Sequence, residues 1–478
     1  MIENIMNTLT TTGLLDLSYR DLALMNATAA TTDPQLSRKK YTEILKTDES
    51  IKAVTVCFSD IEGRLYMLDY DKKFFLKSTD SLTFDGSSVP GFTDQQDSDL
   101  KLHPDWSSFT FVPADIFGSG KVIMFANITF RDGTPHPSDF RGRLQAYTTS
   151  LLRDEGIELF MAPEIEGFLL QGVDAEQNYS NITGFTLASS GGYLHSLPLD
   201  ELRRFIDKTA EVQRAMGFGN EKDHPEAAPS QFEINFAYAS AIKACDRTLL
   251  YKLICRQVAM HMGMTASFLP KPIQGIAGSG MHLNISFFKK DQNLFYDKKS
   301  KGGLSPYGRL IAEKILHYAP ELCLLFNPSV NAYRRLDPLF EAPNQIKISA
   351  NDRGSMIRIP YATEKSTRIE IRSVSPDANP YLILYAITKA GLKGTTPLID
   401  TTKRPRIRFL PSTLHDAIRV YKASDSIAML IGEDSKQRYL NTKQAVADRS
   451  ARDLGTRIKE EEILYHHEIT NQHLWNRF

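Results

Sequence analysis

Four stretches of this chain alternate polar and apolar residues at a period of two. Residues 366–374, Ser-Thr-Arg-Ile-Glu-Ile-Arg-Ser-Val, put Arg368, Glu370 and Arg372 on one face and Ile369 and Ile371 on the other. Residues 162–166 put Glu164 and Glu166 on one face. In 230–236, Gln231, Glu233 and Asn235 share a side, with Phe232, Ile234 and Phe236 behind them. In 281–287 the polar set is His282, Asn284 and Ser286. This alternation predicts β-strands with one core face and one polar face.

Helical periodicity appears in other places. A helix is expected from just after Pro137-Ser138 to about Asp154, with Leu144, Tyr147 and Leu151 on one face. Helices are also expected over 199–216 and 242–264. Two apolar runs within 51–70, broken by Ile61-Glu62-Gly63, predict a hairpin. Residues 84–99 read as a Gly/Ser/Asp loop. Residues 1–48 are polar and Thr-rich, with a short amphipathic piece over 14–25, and are expected as a helical extension or a partly mobile arm. There is no internal repeat and no low-complexity tract. The expected organisation is α+β: an extension over 1–48, a small mixed domain over 49–130 and a large domain over 131–478.

With 478 residues the chain has room for two or three domains. Its 57 basic and 57 acidic residues cancel, so nothing in the charge balance calls for nucleic acid or an anionic membrane, and a small-molecule substrate is expected. Cys57, Cys245, Cys255 and Cys323 are scattered, which suits a reducing cytosol and makes no metal-ligand motif. No signal peptide is read at the N-terminus, and no apolar run is long enough to span a membrane. The expected location is the cytoplasm.

The polar strand faces carry the chemistry. Five glutamates (Glu164, Glu166, Glu226, Glu233 and Glu370) and His282, each backed by apolar neighbours, are costly to bury together without cations. Oxygen-rich donors with one imidazole suit Mg²⁺ or Mn²⁺ better than structural zinc. Basic groups follow late in the chain at Arg334, Arg335, Arg353, Arg358, Lys365, Arg368 and Arg372. Carboxylate-held cations beside arginines are what phosphoryl transfer from ATP requires. The chain has no Walker A sequence, no kinase loop set and no dinucleotide-binding glycine fingerprint.

Over about residues 50–478 the chain resembles the glutamine synthetase family. The resemblance rests on Phe84-Asp85-Gly86-Ser87-Ser88, Glu164-Ile165-Glu166, His224-Pro225-Glu226, Gln231-Phe232-Glu233 and Gly278-Ser279-Gly280-Met281-His282. It continues through Asn331-Ala332-Tyr333-Arg334-Arg335, Phe340-Glu341-Ala342-Pro343, the stretch from Asp352-Arg353 to Arg358-Ile359-Pro360, Arg368-Ile369-Glu370-Ile371-Arg372 and Asp377-Ala378-Asn379-Pro380-Tyr381.

The resemblance implies a β-grasp-like N-terminal domain and a catalytic domain built on a large antiparallel sheet with helices. It implies an ATP-dependent ligase of nitrogen metabolism that makes glutamine from glutamate and ammonia through γ-glutamyl phosphate, with two or more Mg²⁺ or Mn²⁺ ions. Carried over residue by residue, Glu166, Glu226 and Glu233 would hold one ion, and Glu164, His282 and Glu370 the other. Arg353 and Arg358 would stabilise the phosphates. Arg335, Arg372 and Gly278 would bind glutamate, and Glu221, Ser286 and Lys365 the nucleotide. Asp85, Ser88, Tyr193 and Glu226 would form the ammonium pocket, and Glu341 would be the flap glutamate that takes a proton. The family forms stacked rings, usually two hexamers, in which Asp85 reaches a neighbouring subunit's site.

The sequence also departs from the family. Ala277, after Ile276, stands where the family usually has Asn for the substrate's amino-acid end. Asn284 stands where a second His is common, and Gly167-Phe168 replaces an aromatic pair. The tyrosine segment used for adenylylation is not evident after Gly394. Ala277 keeps a γ-glutamyl–amine ligase as the alternative, and a non-catalytic regulatory paralogue as a lesser one.

Overall fold

Six of the seven residues of Ala53–Ser59 are buried, which marks a central strand. In the computed structural model, which describes residues 17–28, 34–179, 184–198, 200–300, 302–336, 342–396 and 406–447, this strand is β1. It pairs antiparallel with β2 (Leu65–Asp71) through the turn at Ile61-Glu62-Gly63, and parallel with β6 (Lys121–Thr129). β4 (Asp99–Pro104) and β3 (Thr83–Asp85) continue this sheet, and β5 (Thr110–Phe111) pairs with β6. Asp85 therefore ends a strand at the sheet edge, inside the stretch expected to be a loop.

Helix Pro34–Thr47 lays Tyr41, Ile44 and Leu45 into the core of this first sheet. Helix Tyr19–Thr28, the first described element, adds Leu22 and Met25. The extension is thus helical where it is described. Residues 1–16 and 448–478, and Glu341, lie outside the described residues.

The second sheet runs β14 (Gln345–Ser349), β15 (Ser355–Arg358), β16 (Ile369–Ile371), β12 (Met281–Lys289), β7 (Glu158–Gln171), β9 (Gln231–Phe236), β8 (Asn220–Pro225). β10 (Ala239–Ser240) and β11 (Met264–Ser267) pair with β7, and β13 (Gln292–Asn293) pairs with β12. The sheet is mixed: β14 and β15 run parallel, and the other pairs are antiparallel. The architecture is α+β, a β-grasp N-terminal domain followed by a large sheet domain with helices.

Helices Phe140–Glu155, Glu201–Ala215, Ala241–His261 and Pro380–Lys393 cover the apolar side of this sheet and close one core with Met161, Ile165, Phe232, Ile234, Leu283, Ile285, Ile369 and Ile371. The helix expected to reach residue 264 ends at His261, because Met264–Ser267 pairs with β7 instead.

Among the contacts that fix the domains to each other are the bonds of Arg141 and of Asn379. Arg141 is almost wholly buried and bonds Asp246 of the large domain (2.9 and 2.8 Å) and Asp105 of the small one (2.9 Å). Both carboxylates share one guanidinium, so the desolvation cost of the ions is met on every side. Asn379 caps helix Pro380–Lys393 through Tyr381 N and Leu382 N, and donates to Ile61 O at 3.1 Å. Gly63, at φ +88°, passes so close that a Cβ there would lie 2.6 Å from Asn379 Cα. Only glycine serves that turn.

Candidate active site

The polar faces predicted from alternation come together because the strand registers match. Glu370 on β16 lies opposite Asn284 on β12 and Arg358 on β15. His282 on β12 lies opposite Glu164 on β7. Glu166 on β7 lies opposite Glu233 on β9, and Glu233 opposite His224 on β8. A charged band therefore crosses six strands on one face of the sheet. Along β7 the alternating residues Leu159, Met161, Pro163 and Ile165 are buried, while Glu164 and Glu166 project from the other side.

Among the described residues, two groups offer ligand atoms close enough to share an ion: Glu164, His282 and Glu370, and His224, Glu226 and Glu233. In the first, His282 Nδ1 lies 3.4 Å from Glu164 Oε2 and 3.6 Å from Glu370 Oε1. Glu370 is fully buried, and both its oxygens are held: Arg372 Nη1 reaches Oε1 at 2.8 Å and Arg358 Nε reaches Oε2 at 2.7 Å. Asn284 donates to Glu164 Oε1 at 3.1 Å and accepts from Arg368 Nε at 2.7 Å. Asn284 thus couples a guanidinium to a carboxylate.

In the second group, His224 Nδ1 lies 3.6 Å from Glu226 Oε1 and His224 Nε2 lies 3.6 Å from Glu233 Oε1. Asn235 donates to Glu233 Oε1 at 2.7 Å. Glu166 stands beside this group, and its Oε2 accepts from Gly280 N at 2.7 Å. Arg335 is buried under the seam, bonded to Val374 O and Arg372 O at 3.2 and 2.9 Å. A Cβ on Gly280 would collide with Arg335 Nη2 and come within 2.9 Å of His282 Nε2. Gly278 is similarly constrained, since a Cβ there would meet Pro270 O at 2.5 Å.

Crowding of like charges sets the electrostatics. Burial, then the charges of Glu233 and Glu226, push Glu166 up to about 8. Burial, then Glu164 and Glu226, push Glu233 up to about 7. Burial opposes the charge on Glu164 too, but the hydrogen bond and charge of His282 outweigh it and bring it down to about 2. Burial also brings Arg335 down to about 10. The band thus retains protons at neutral pH where a divalent cation would replace them. The donor set, carboxylate oxygens with an imidazole in each group, fits Mg²⁺ or Mn²⁺.

The other predicted residues lie around this band. Arg353 is exposed in the turn between β14 and β15, Lys365 is exposed before β16, and Glu221 is exposed on β8. Ser286 is half-buried on β12, opposite Phe160. Tyr193 is exposed, and its ring meets His224 edge-on at 5.7 Å. Asp85 belongs to neither ligand group; it accepts from Ser87 Oγ at 2.6 Å and Ser88 Oγ at 2.8 Å, and these bonds lower its pKa. Glu341 lies outside the described residues.

Two participants were not singled out from sequence: His224 as a member of the second group and Gly280 as the seam. His224 and Glu226 have the same period-two spacing as Glu164 and Glu166, and that was the available signal.

Known proteins match this arrangement. The glutamine synthetase catalytic domain family matches residues 137–459, and the glutamine synthetase beta-Grasp domain family matches residues 50–130. A glutamine synthetase of Staphylococcus aureus is 34% identical over 417 residues, covering 83% of this chain and 91% of the relative. One from Thermotoga maritima is 33% identical over 413 residues, covering 83% and 93%. Among solved structures, a GmaS/ADP complex superposes with a TM-score of 0.72 at 27% identity, covering 87% of this chain and 96% of that one. Plasmodium falciparum glutamine synthetase, at 20% identity and a TM-score of 0.76, covers 86% and 95% and shares the fold.

Proposed function

We infer the reaction from one premise: this chain belongs to the glutamine synthetase family. We propose that it is an ATP-dependent ligase that forms glutamine from glutamate and ammonia. A γ-carboxylate oxygen of glutamate attacks the γ-phosphorus of ATP, giving γ-glutamyl phosphate and ADP. Ammonia then attacks the acyl carbon, and phosphate leaves with the oxygen it gained.

The observation that supports this reading is Glu370, fully buried between Arg358 and Arg372 and facing His282 and Glu164. Arg372 Nε is buried and has no hydrogen-bond partner among the described residues. A buried donor left unsatisfied in the free protein is a place for a substrate acceptor, here a carboxylate oxygen of glutamate. Arg335 lies beside it and supplies the second positive charge. Arg358 and Arg353 neutralise the transferring phosphoryl group. Gly278 brings bare backbone to the substrate, and Glu221, Ser286 and Lys365 take the nucleotide. Glu164, His282 and Glu370, and Glu226 and Glu233 with Glu166, would hold divalent ions, which would supply Lewis-acid polarisation of the phosphoryl and carboxylate oxygens.

Asp85 with Ser88, Tyr193 and Glu226 captures ammonium, and its carboxylate, held ionised by Ser87 and Ser88, removes the proton. Glu341 takes the second proton from the adduct. In its own chain Asp85 belongs to neither ligand group; carried over from the family resemblance, it would act on a neighbouring subunit in a homo-oligomer of stacked rings.

A second reading is a γ-glutamyl–amine ligase. It is favoured by Ile276 and Ala277, which pack on an apolar cluster of Phe168, Leu170 and Ala228 next to Gly278, and by the likeness to GmaS. Phosphate release from ATP with glutamate and Mg²⁺ or Mn²⁺, run with ammonium, ethylamine, putrescine or no amine, separates the two. Turnover that requires ammonium and yields glutamine supports the first reading. Turnover only with an organic amine replaces it with the second, and no turnover overturns both.

A further inference from the structure

We propose that His224 is a ligand of the first cation site, so that each of the two sites is built from carboxylates and one imidazole. This rests on the reading that Glu226 and Glu233 hold a divalent ion.

His224 sits on β8 directly opposite Glu233 on β9 and is 7% exposed. Its Nδ1 lies 3.1 Å from Pro225 O, a carbonyl that can only accept, so Nδ1 carries the ring proton of the neutral imidazole. Nε2 is then a lone-pair atom, and it lies 3.6 Å from Glu233 Oε1. Two lone-pair atoms facing each other in a buried site repel unless a cation or proton lies between them. Glu233 Oε1 accepts from Asn235, and the exposed Lys222 ammonium lies 3.6 Å from it on the outer side.

The other site gives an internal standard. His282 turns one nitrogen, Nδ1, to both Glu164 and Glu370, at 3.4 and 3.6 Å, whereas His224 turns Nδ1 to Glu226 and Nε2 to Glu233, each at 3.6 Å. Both sites on this sheet face thus set an imidazole beside two carboxylates, and at His224 the donor is Nε2, on the Glu233 side. Two devices hold the second imidazole in plane: the bond to Pro225 O and the edge-on ring of Tyr193. A carbonyl on the far ring nitrogen is the usual way to fix the tautomer of a ligating histidine. Glu166 is placed differently, since one of its oxygens is committed to Gly280 N. Its other oxygen, Oε1, remains for the ion, so Glu166 would ligate beside His224 rather than be replaced by it.

An imidazole in each site has a chemical consequence. Nitrogen donors raise affinity for Mn²⁺ and later first-row ions more than for Mg²⁺, which prefers oxygen. The first site should therefore discriminate between the two ions.

The test is pulsed electron paramagnetic resonance on metal-free protein reloaded with Mn²⁺, alongside a Mn²⁺ titration. Nitrogen modulation is expected from both bound ions. His224→Asn should remove the modulation from one ion and weaken that site by about tenfold or more, and His282→Asn should do the same to the other. Two bound ions with nitrogen coupling at only one in the unmodified protein overturn the role of His224 while leaving the two-cation reading in place. That comparison needs no variant, so it holds even if His224→Asn fails to fold. No Mn²⁺ binding at either site overturns the two-cation reading as well.

Discussion

Arg372 Nη1 donates to Glu370 Oε1 at 2.8 Å from two residues further along the chain, while Arg372 Nε is buried without a partner among the described residues. One guanidinium therefore has two tasks: one edge holds a metal-binding carboxylate, and the other waits for substrate. Arg372→Lys keeps the charge and loses the planar fork. The expected result is a KM for the amino-acid substrate raised about 10–100-fold, a cost of about 1.5–3 kcal/mol for a charged hydrogen bond. The KM for ATP should move much less. Steady-state kinetics with each substrate varied in turn decides it, and an equal rise in both would contradict the assigned role.

The carboxylate band predicts a pH dependence of definite sign. Glu166 and Glu233 are raised to about 8 and about 7, so the folded protein keeps protons there that the unfolded chain has lost. Their contribution to metal-free stability is full below the ordinary carboxylate range and is lost as pH rises through about 7 and 8. Metal competes with those protons, so its affinity increases over the same interval. Melting curves with and without Mn²⁺ should show a larger metal-induced rise in Tm at pH 8.5 than at pH 6.5. An equal rise at both would show that the two carboxylates are already ionised.

If Asp85 serves a neighbouring subunit, two inactive variants should rescue each other. Asp85→Asn and Glu370→Gln are each expected to be nearly inactive alone. Dissociated, mixed in equal amounts and reassembled, they should regain about a quarter of the wild-type activity, because about one interface in four joins an intact Asp85 to an intact Glu370. Absence of rescue in reassembled oligomers would place Asp85 in its own chain's site or outside the chemistry.

Helix Tyr19–Thr28 ties the two domains through Tyr19, which bonds Asp115 and Lys208, and through Asn26. Asn26 Nδ2 donates to Phe111 O at 2.9 Å and Ala215 O at 2.8 Å, and Asn26 Oδ1 accepts from Phe111 N at 2.9 Å. Phe111 belongs to the small domain, and Ala215 ends the helix that leads into β8. Asn26→Ala should cost about 2–4 kcal/mol, since it strands backbone groups that water reaches poorly. A thermal melt several degrees lower with an unchanged Mn²⁺ stoichiometry is the expected outcome. An unchanged melt would mean that the helix is dispensable.

Much of this protein was legible in the order of its residues. Alternation identified the strands that bear Glu164, Glu166, Glu233, His282 and Glu370, because a half-buried strand must repeat every two residues. Helical periodicity located Phe140–Glu155 and Glu201–Ala215, and the Ile61-Glu62-Gly63 break located the first hairpin. These are local properties, and local sequence carries them.

Only the tertiary structure decided which faces meet. The register that sets His224 opposite Glu233, and Asn284 opposite Glu370, depends on pairings between strands far apart in sequence. So does the rise of Glu166 to about 8, which needs the burial and the neighbouring charges that the folded sheet creates. Helix Tyr19–Thr28 illustrates the same limit: the amphipathic piece over 14–25 pointed to a helix, but its role as an anchor comes from contacts at Phe111 and Ala215. A short segment cannot stabilise itself, and its place is set by what it packs against.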